Sequence, residues 1–168
     1  QAAREGTLFD VATDKEFIEL VLDNVRHNRT TTNGVDKLLF EPTAKLLQEP
    51  EVKIENVHAV ETEQSNSTSL VDESFVVKLY RRIEAGINPE IEMGRFLTDV
   101  VGFANTPDLL GSVELVEGGR HSAVAIIHRL IPNQGDAWSV AASYLDRFVE
   151  ERRLLSAEEK RSESSEQI

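Results

Sequence analysis

Lys78 lies in the middle of an apolar run, Phe75-Val76-Val77-Lys78-Leu79-Tyr80. Strand alternation places Phe75, Val77 and Leu79 on one face and Val76, Lys78 and Tyr80 on the other. An ammonium group in such a strand is costly unless it meets an anion or snorkels to water. The chemistry it fits is holding phosphate oxygens, with a carboxylate on a following helix to keep it in place. Glu92, one turn into the next helix, is expected to be that carboxylate. Glu90 is its rival, but Asn88 and Pro89 place Glu90 in the first helical turn, where any acid suits the helix dipole. Ahead of the strand runs the polar stretch Glu63-Gln64-Ser65-Asn66-Ser67-Thr68. Its hydroxyls, amides and backbone N–H groups suit phosphate, although it has no glycine-rich G-x-G-x-x-G pattern. Each feature also has a plainer reading: an edge-strand Lys that discourages aggregation, dipole compensation by the two Glu, and a polar hairpin loop with no role. The residues alone leave both readings open.

The elements that must position these groups follow from spacing. Thr13 and Glu16 form a capping box, and Phe17, Leu20, Val21 and Val25 recur at helical intervals, so a helix is predicted over 13–27. Thr30 to Gly34 reads as a turn, Val35 to Phe40 as a strand, and Ala44 to Leu47 as a short helix or loop. A second unit begins near Glu51, with a strand from Val52 to Val60. The polar residues 61–68 follow as a loop that cannot hold a core. Ser69 to Val71 and Phe75 to Tyr80 are two strands around a tight Asp72-Glu73 turn. Asn88 as cap and Pro89 at the first position start a helix. Met93, Phe96, Leu97 and Val100 are its predicted inward face, and Gly102 ends it. Strands at 110–116 and 122–131 flank the hairpin turn Glu117-Gly118-Gly119-Arg120, the second strand being apolar enough for burial on both faces. Pro132 to Gly135 breaks the pattern. A helix over 136–155 follows, with Trp138, Ala141, Ala142, Leu145 and Phe148 on one side and Asp136 as N-cap. Residues 156–168 read as a polar, solvated or disordered tail.

Composition narrows the partners. The chain has 168 residues, is 40% hydrophobic and carries a net charge of -12. That acidity repels nucleic acid and anionic lipid, so neither is expected as a partner. The absence of Cys excludes a disulfide framework and a thiolate zinc site, and accords with a cytoplasmic protein. No apolar run approaches the roughly 18 residues that span a bilayer. No signal peptide is seen, and the start at Gln1 suggests a processed piece or a fragment.

The α+β order of strands, helix, strands and break is that of a kinase small lobe. The runs EQSNST, FVVKLYRRIEAGINPEIEMGRFL, PDLLGSVEL and IPNQGDAW, over about 61–138, closely resemble the bacterial maltokinase family. Members occur alone or fused behind a trehalose synthase domain. The resemblance implies an aminoglycoside-phosphotransferase-like kinase fold. It implies an N-terminal cap over 1–50, a small lobe with an antiparallel sheet and one helix over 51–132, and a hinge with the first large-lobe helix over 133–155. The implied reaction moves the γ-phosphate of ATP to the anomeric hydroxyl of maltose, with magnesium as metal. Carried over, Gln64, Ser65, Asn66, Ser67 and Thr68 cover the phosphates, Lys78 binds them, and Glu92 is its partner. His128, Arg129 and Leu130, with Ile131, form the hinge whose backbone reads adenine; His128-Arg129 stands where the family more often has Gln-Glu.

What the resemblance also implies is an absence. The catalytic base and the metal carboxylates of such kinases belong to a large lobe, in an H-x-D-x-x-x-x-N-type loop and a later Asp. None of His27, His58, His121 or His128 begins such a loop. The chain is therefore expected to lack the catalytic loop, the metal ligands and the acceptor-sugar site, and to be catalytically incomplete. The alternative is an interaction module that kept a small-lobe fold without catalysis. A third reading is an unrelated α+β domain in which Lys78 only guards an edge.

Overall fold

A computed structural model describes residues 11–51, 53–60, 66–133 and 135–165, with side chains described as far as 156. A short 3-10 turn, Val11–Thr13, leads into α1, Lys15–Arg26. The cap of α1 is Asp14, not Thr13: the Asp14 carboxylate accepts from the Phe17 amide at 2.7 Å. A carboxylate at this position satisfies an otherwise orphaned amide and lies favourably at the positive end of the dipole. Asp14→Ala is expected to cost about 1 kcal/mol of stability, read as a lower urea midpoint; an unchanged midpoint would remove the cap from the account.

Thr30 to Asn33, expected as a turn, is strand β1, and Asp36–Pro42 is β2. Three consecutive threonines favour extended backbone, and only Asn33-Gly34 supplies the turn, with Gly34 at φ +69°. Helix α2, Ala44–Gln48, follows; then β3, Val57–Val60, β4, Asn66–Val71, and β5, Phe75–Tyr80. Of the strand expected over 52–60, residues 57–60 are strand and 53–56 are not, while Val52 lies outside the described residues. Asp72 and Glu73 both take positive φ in the β4–β5 turn, and the Asp72 carboxylate accepts from the Glu55 and Asn56 amides. Helix α3, Pro89–Arg95, starts on the Asn88 side chain and continues as a π-helical turn, Phe96–Val101, closed by Gly102 at φ +63°. Strands β6, Leu109–Glu117, and β7, Arg120–Arg129, form the last hairpin.

Among the described residues the strands make one antiparallel sheet of seven, in the order β1-β2-β6-β7-β5-β4-β3. Residues 11–50 thus share a sheet with the strands that follow. Adjacent residues feed opposite faces. Leu110, Ile127, Val77 and Val113 join Ile18, Val21 and Val25 of α1 and Leu46 of α2 in one core, while Leu109, Ile126 and Ala123 join Ile91 of α3 in a second. β6 and β7 carry both sets because they are covered on both faces. Gly111 lets α1 approach: a Cβ there would meet the Val25 side chain at 2.4 Å.

The inward face of α3 differs from the one expected. Ile91 and Thr98 are buried, whereas Met93, Phe96 and Val100 are 49%, 48% and 72% exposed. Ile91, Gly94, Arg95 and Thr98 have the i, i+3, i+4, i+7 spacing that meets the sheet. Leu109 packs close over Gly94, Arg95 donates to Ser112 and Glu41, and the Thr98 hydroxyl accepts from the Leu109 amide. Small and polar residues that find partners have displaced the larger apolar set.

Residues 132–168 form a separate compact unit. Its helix α4 spans Ala137–Ser165, so the tail expected from residue 156 is helical through Ser165. Ala, Glu, Lys and Arg make up six of residues 156–165 and Ser the other four, and no Gly or Pro interrupts them. Asp136 caps α4, accepting from the Ser139 amide and hydroxyl, each at 2.8 Å. Those hydrogen bonds hold its carboxyl below its usual range. Trp138, Leu145 and Phe148, expected on one side of the helix, are exposed. No helix among the described residues is long and apolar enough to cross a membrane.

Candidate functional site

Lys78 is where alternation put it, on the face of β5 opposite the Val77 core. Cross-strand partners share a face. Thr68 of β4 and Ile126 of β7 flank Lys78 directly, Asn66 lies opposite Tyr80, and His128 lies opposite Val76. α3 covers part of this face through Ile91. The Lys78 side chain is 19% exposed and its ammonium donates to Glu90 at 3.0 Å. Tyr80, two residues along the strand, donates its hydroxyl to the other Glu90 oxygen at 2.7 Å. Its ring also lies 5.9 Å from the Lys78 ammonium.

The partner of Lys78 is therefore Glu90 and not Glu92. The first turn of α3 directs Glu90 toward the sheet. Glu92, two residues on and so about 200° around the helix, lines a cavity of about 570 Å³ with Glu41, Ile91, Arg95 and Arg120. First-turn position does not stop an acid from serving the site: Glu90 suits the dipole and meets Lys78 together. The missed signal was that Tyr80 shares the Lys78 face and offers a second donor to the same carboxylate.

Glu90 is held below its ordinary value of 4.5. Partial burial pushes its pKa up, but the Tyr80 and Lys78 hydrogen bonds and the Lys78 charge outweigh that. A carboxylate depressed in the folded state contributes stability that is present above the unfolded pKa and lost as pH falls through the folded one. The contribution of this cluster should therefore disappear below pH 4.5. In a carboxyl-carbon NMR titration, Glu90 is expected to have a midpoint below 4.5 that rises in Tyr80→Phe. A midpoint unmoved by that change would rule out the hydroxyl as a cause.

His128 is half-buried near the end of β7. Burial pushes its pKa below the usual 6.5, against the Glu90 charge and the nearby Asp108 and Pro107 carbonyls, which favour the proton. Its Nδ1 is buried and has no hydrogen-bond partner. Two of the other expected hinge residues, Arg129 and Leu130, are engaged through their amides. The Arg129 amide donates to the Asp108 carbonyl at 3.0 Å and the Leu130 amide to the Ser74 carbonyl at 2.8 Å. The Arg129 guanidinium bridges Glu49 and Asp108, and those hydrogen bonds, that to Glu49 foremost, raise its pKa.

The expected phosphate loop is part strand. Asn66, Ser67 and Thr68 belong to β4, with Ser67 and Thr68 buried, contrary to a loop unable to hold a core. Asn66 and Thr68 share the Lys78 face, while the Ser67 hydroxyl accepts from Arg81 at 2.9 Å. Short hydroxyl side chains pack in a strand once their oxygens are satisfied. Gln64 and Ser65 lie outside the described residues. Among the described residues no three His, Asp or Glu side chains converge as a metal cage would require.

No protein-family model matches the chain. Among solved structures, a glucosamine kinase in complex with glucosamine, ADP and inorganic phosphate is similar, with a TM-score of 0.52 and 17% identity. The match covers 78% of this chain and 28% of that kinase, so the chain spans little more than a quarter of the neighbour's length. At that identity the likeness concerns the fold, which is kinase-like.

Proposed function

We propose that this chain is the ATP-binding, N-terminal portion of a maltose kinase of the maltokinase family, with an aminoglycoside-phosphotransferase-like fold. The observation that carries the reading is the Lys78–Glu90 pair, strand to following helix, on one face of an antiparallel sheet. Such a pair holds an ammonium ready for phosphate oxygens while keeping it satisfied when no nucleotide is bound. Bound ATP would supply the phosphoryl group. Lys78 would bind its phosphates, Glu90 and Tyr80 would orient Lys78, and Asn66 and Thr68 would line the same face. Residues 1–50 would be the cap. Magnesium ligands, the catalytic base and the maltose site would lie in a large lobe, and a trehalose synthase domain would be a fused or separate partner. The similar kinase, whose structure holds glucosamine and ADP, supports the class of reaction and not the choice of maltose.

The test is a pair of titrations of the 168-residue chain, followed by protein NMR. ATP is expected to shift signals of β5 and α3, and maltose to shift none. Maltose phosphorylation by this chain alone would overturn the incomplete-enzyme reading. A second reading, a non-catalytic interaction module, draws on the exposed stripe of Met93, Phe96 and Val100. It predicts no ATP response at Lys78.

A further inference from the structure

The cavity that Glu92 lines turns away from the Lys78–Glu90 pair, toward the 85–88 loop and the β6–β7 hairpin. Its volume of about 570 Å³ falls within the roughly 300–1,000 Å³ of small-molecule sites. Ile91 is 5% exposed at its floor and Ile87 79% exposed at its rim, so a packed base meets an open mouth. The charged lining has both signs. Three carboxylates, of Glu41, Glu92 and Glu114, face the guanidiniums of Arg95 and Arg120 and the imidazole of His121. Two of the carboxylates are already matched: Glu41 accepts from Arg95 Nη2 at 2.8 Å, and Glu114 meets His121 Nδ1 at 2.7 Å. Glu92 and Arg120 remain. Among the described residues neither side chain has an ion-pair or hydrogen-bond partner, although both line one cavity. A purely anionic ligand would enter beside three carboxylates, and a purely cationic one beside two guanidiniums. Among the described residues no aromatic side chain lines the cavity, so a planar base or a sugar ring finds no platform to stack on. Ala85, Ile87 and Ile91 instead offer an aliphatic wall.

We infer that this cavity binds a small zwitterion with an aliphatic skeleton, a free amino acid or a short peptide with free ends. The ligand carboxylate accepts from the Arg120 guanidinium, whose planar fork matches two oxygens at once. Arg95 spends only Nη2 on Glu41 and Ser112, so its remaining N–H groups are free to add to that contact. The ligand ammonium donates to the Glu92 carboxylate. Its carbon skeleton lies against Ile87 and Ile91, where burial of apolar surface contributes to binding. The paired Glu41 and Glu114 keep their own partners and give the site its polarity without excess charge. None of these residues belongs to the Lys78 cluster, so the inference stands or falls apart from the nucleotide reading.

The experiment titrates the 168-residue chain with leucine and with leucyl-leucine, followed by the amide signals of Gly86, Ile91 and Arg120 in protein NMR. Two relatives of leucine serve as probes of each charge: leucinamide, which lacks the carboxylate, and N-acetyl-leucine, which lacks the ammonium. At least one zwitterion is expected to shift those signals, and each single-charge relative to bind about tenfold more weakly than leucine or worse, the loss expected for one hydrogen bond to a charged group. Arg120→Gln should weaken leucine about tenfold and leave leucinamide unchanged, because leucinamide has no carboxylate to lose. Glu92→Gln should weaken leucine likewise and leave N-acetyl-leucine unchanged. That crossed pattern guards against a folding defect, which would weaken every ligand alike. Tighter binding of leucyl-leucine than of leucine assigns the site to peptides, and the reverse assigns it to free amino acids. Leucinamide or N-acetyl-leucine binding as well as leucine overturns the zwitterion assignment, as does leucine binding that ignores both substitutions. No shift with either zwitterion up to its solubility overturns the site itself.

Discussion

Lys78→Ala is expected to weaken ATP binding by about 10- to 100-fold, the loss that follows when a hydrogen bond to a charged group worth roughly 1.5–3 kcal/mol is removed. The Lys78 side chain is only 19% exposed and already donates to Glu90, so little ordering remains to be done when phosphate arrives. Glu90→Gln should have a smaller effect in the same direction, about 3- to 10-fold, because a neutral amide orients the ammonium less strongly. Glu92→Gln should change affinity little, since Glu92 faces the cavity beside Arg95 and Arg120. The order Lys78, Glu90, Glu92, measured by calorimetry on the same chain, tests the geometry directly. A large loss from Glu92→Gln with none from Glu90→Gln would reverse the assignment made from the structure.

Gly111→Ala is expected to be the most damaging small substitution, costing about 3 kcal/mol, at the upper end of the usual range for overpacking. The added Cβ would meet Val25 at 2.4 Å and the Glu41 carbonyl oxygen at 2.9 Å. The first contact can yield only if α1 shifts, and the second is backbone within the β2–β6 pairing. A Val25→Ala change in the same chain should recover part of the loss, and a double-mutant cycle by urea denaturation would give the coupling. Gly94→Ala is the control. Its Cβ would meet the buried Leu109 side chain at 3.1 Å, a milder clash than at Gly111, and alanine favours a helix by about 1 kcal/mol over glycine. Its net cost should be well below that of Gly111→Ala. Equal losses at the two glycines would mean that closeness of α1 to the sheet is not what Gly111 provides.

The strand that carries Lys78, the Asn88-Pro89 start of α3 and the Gly118-Gly119 hairpin were legible because each is written in neighbouring residues. Alternation over Phe75 to Tyr80 settles which side chains share a face, since the strand period is two. Asn88 supplies a cap oxygen, and Pro89 needs no amide partner. The inward face of α3 was not legible. Met93, Phe96, Leu97 and Val100 have the greater hydrophobicity, but the sheet offered polar partners to Arg95 and Thr98 and a close approach at Gly94. Nothing within residues 88–102 reports what β6 presents opposite them.

The candidate site divides the same way. The sequence by itself determined that a lysine would lie on one face of an apolar strand, with a capped, acid-bearing helix following it. It left open whether that lysine holds phosphate or only guards a strand edge. Only the tertiary structure decided that Glu90 takes the lysine, that Tyr80 joins them, and that the imidazole of His128 comes to the same face with one nitrogen unmet. The reason is physical: local spacing governs which direction a side chain leaves its own element. Pairing register between strands distant in sequence, and the placement of a helix across them, govern what it meets.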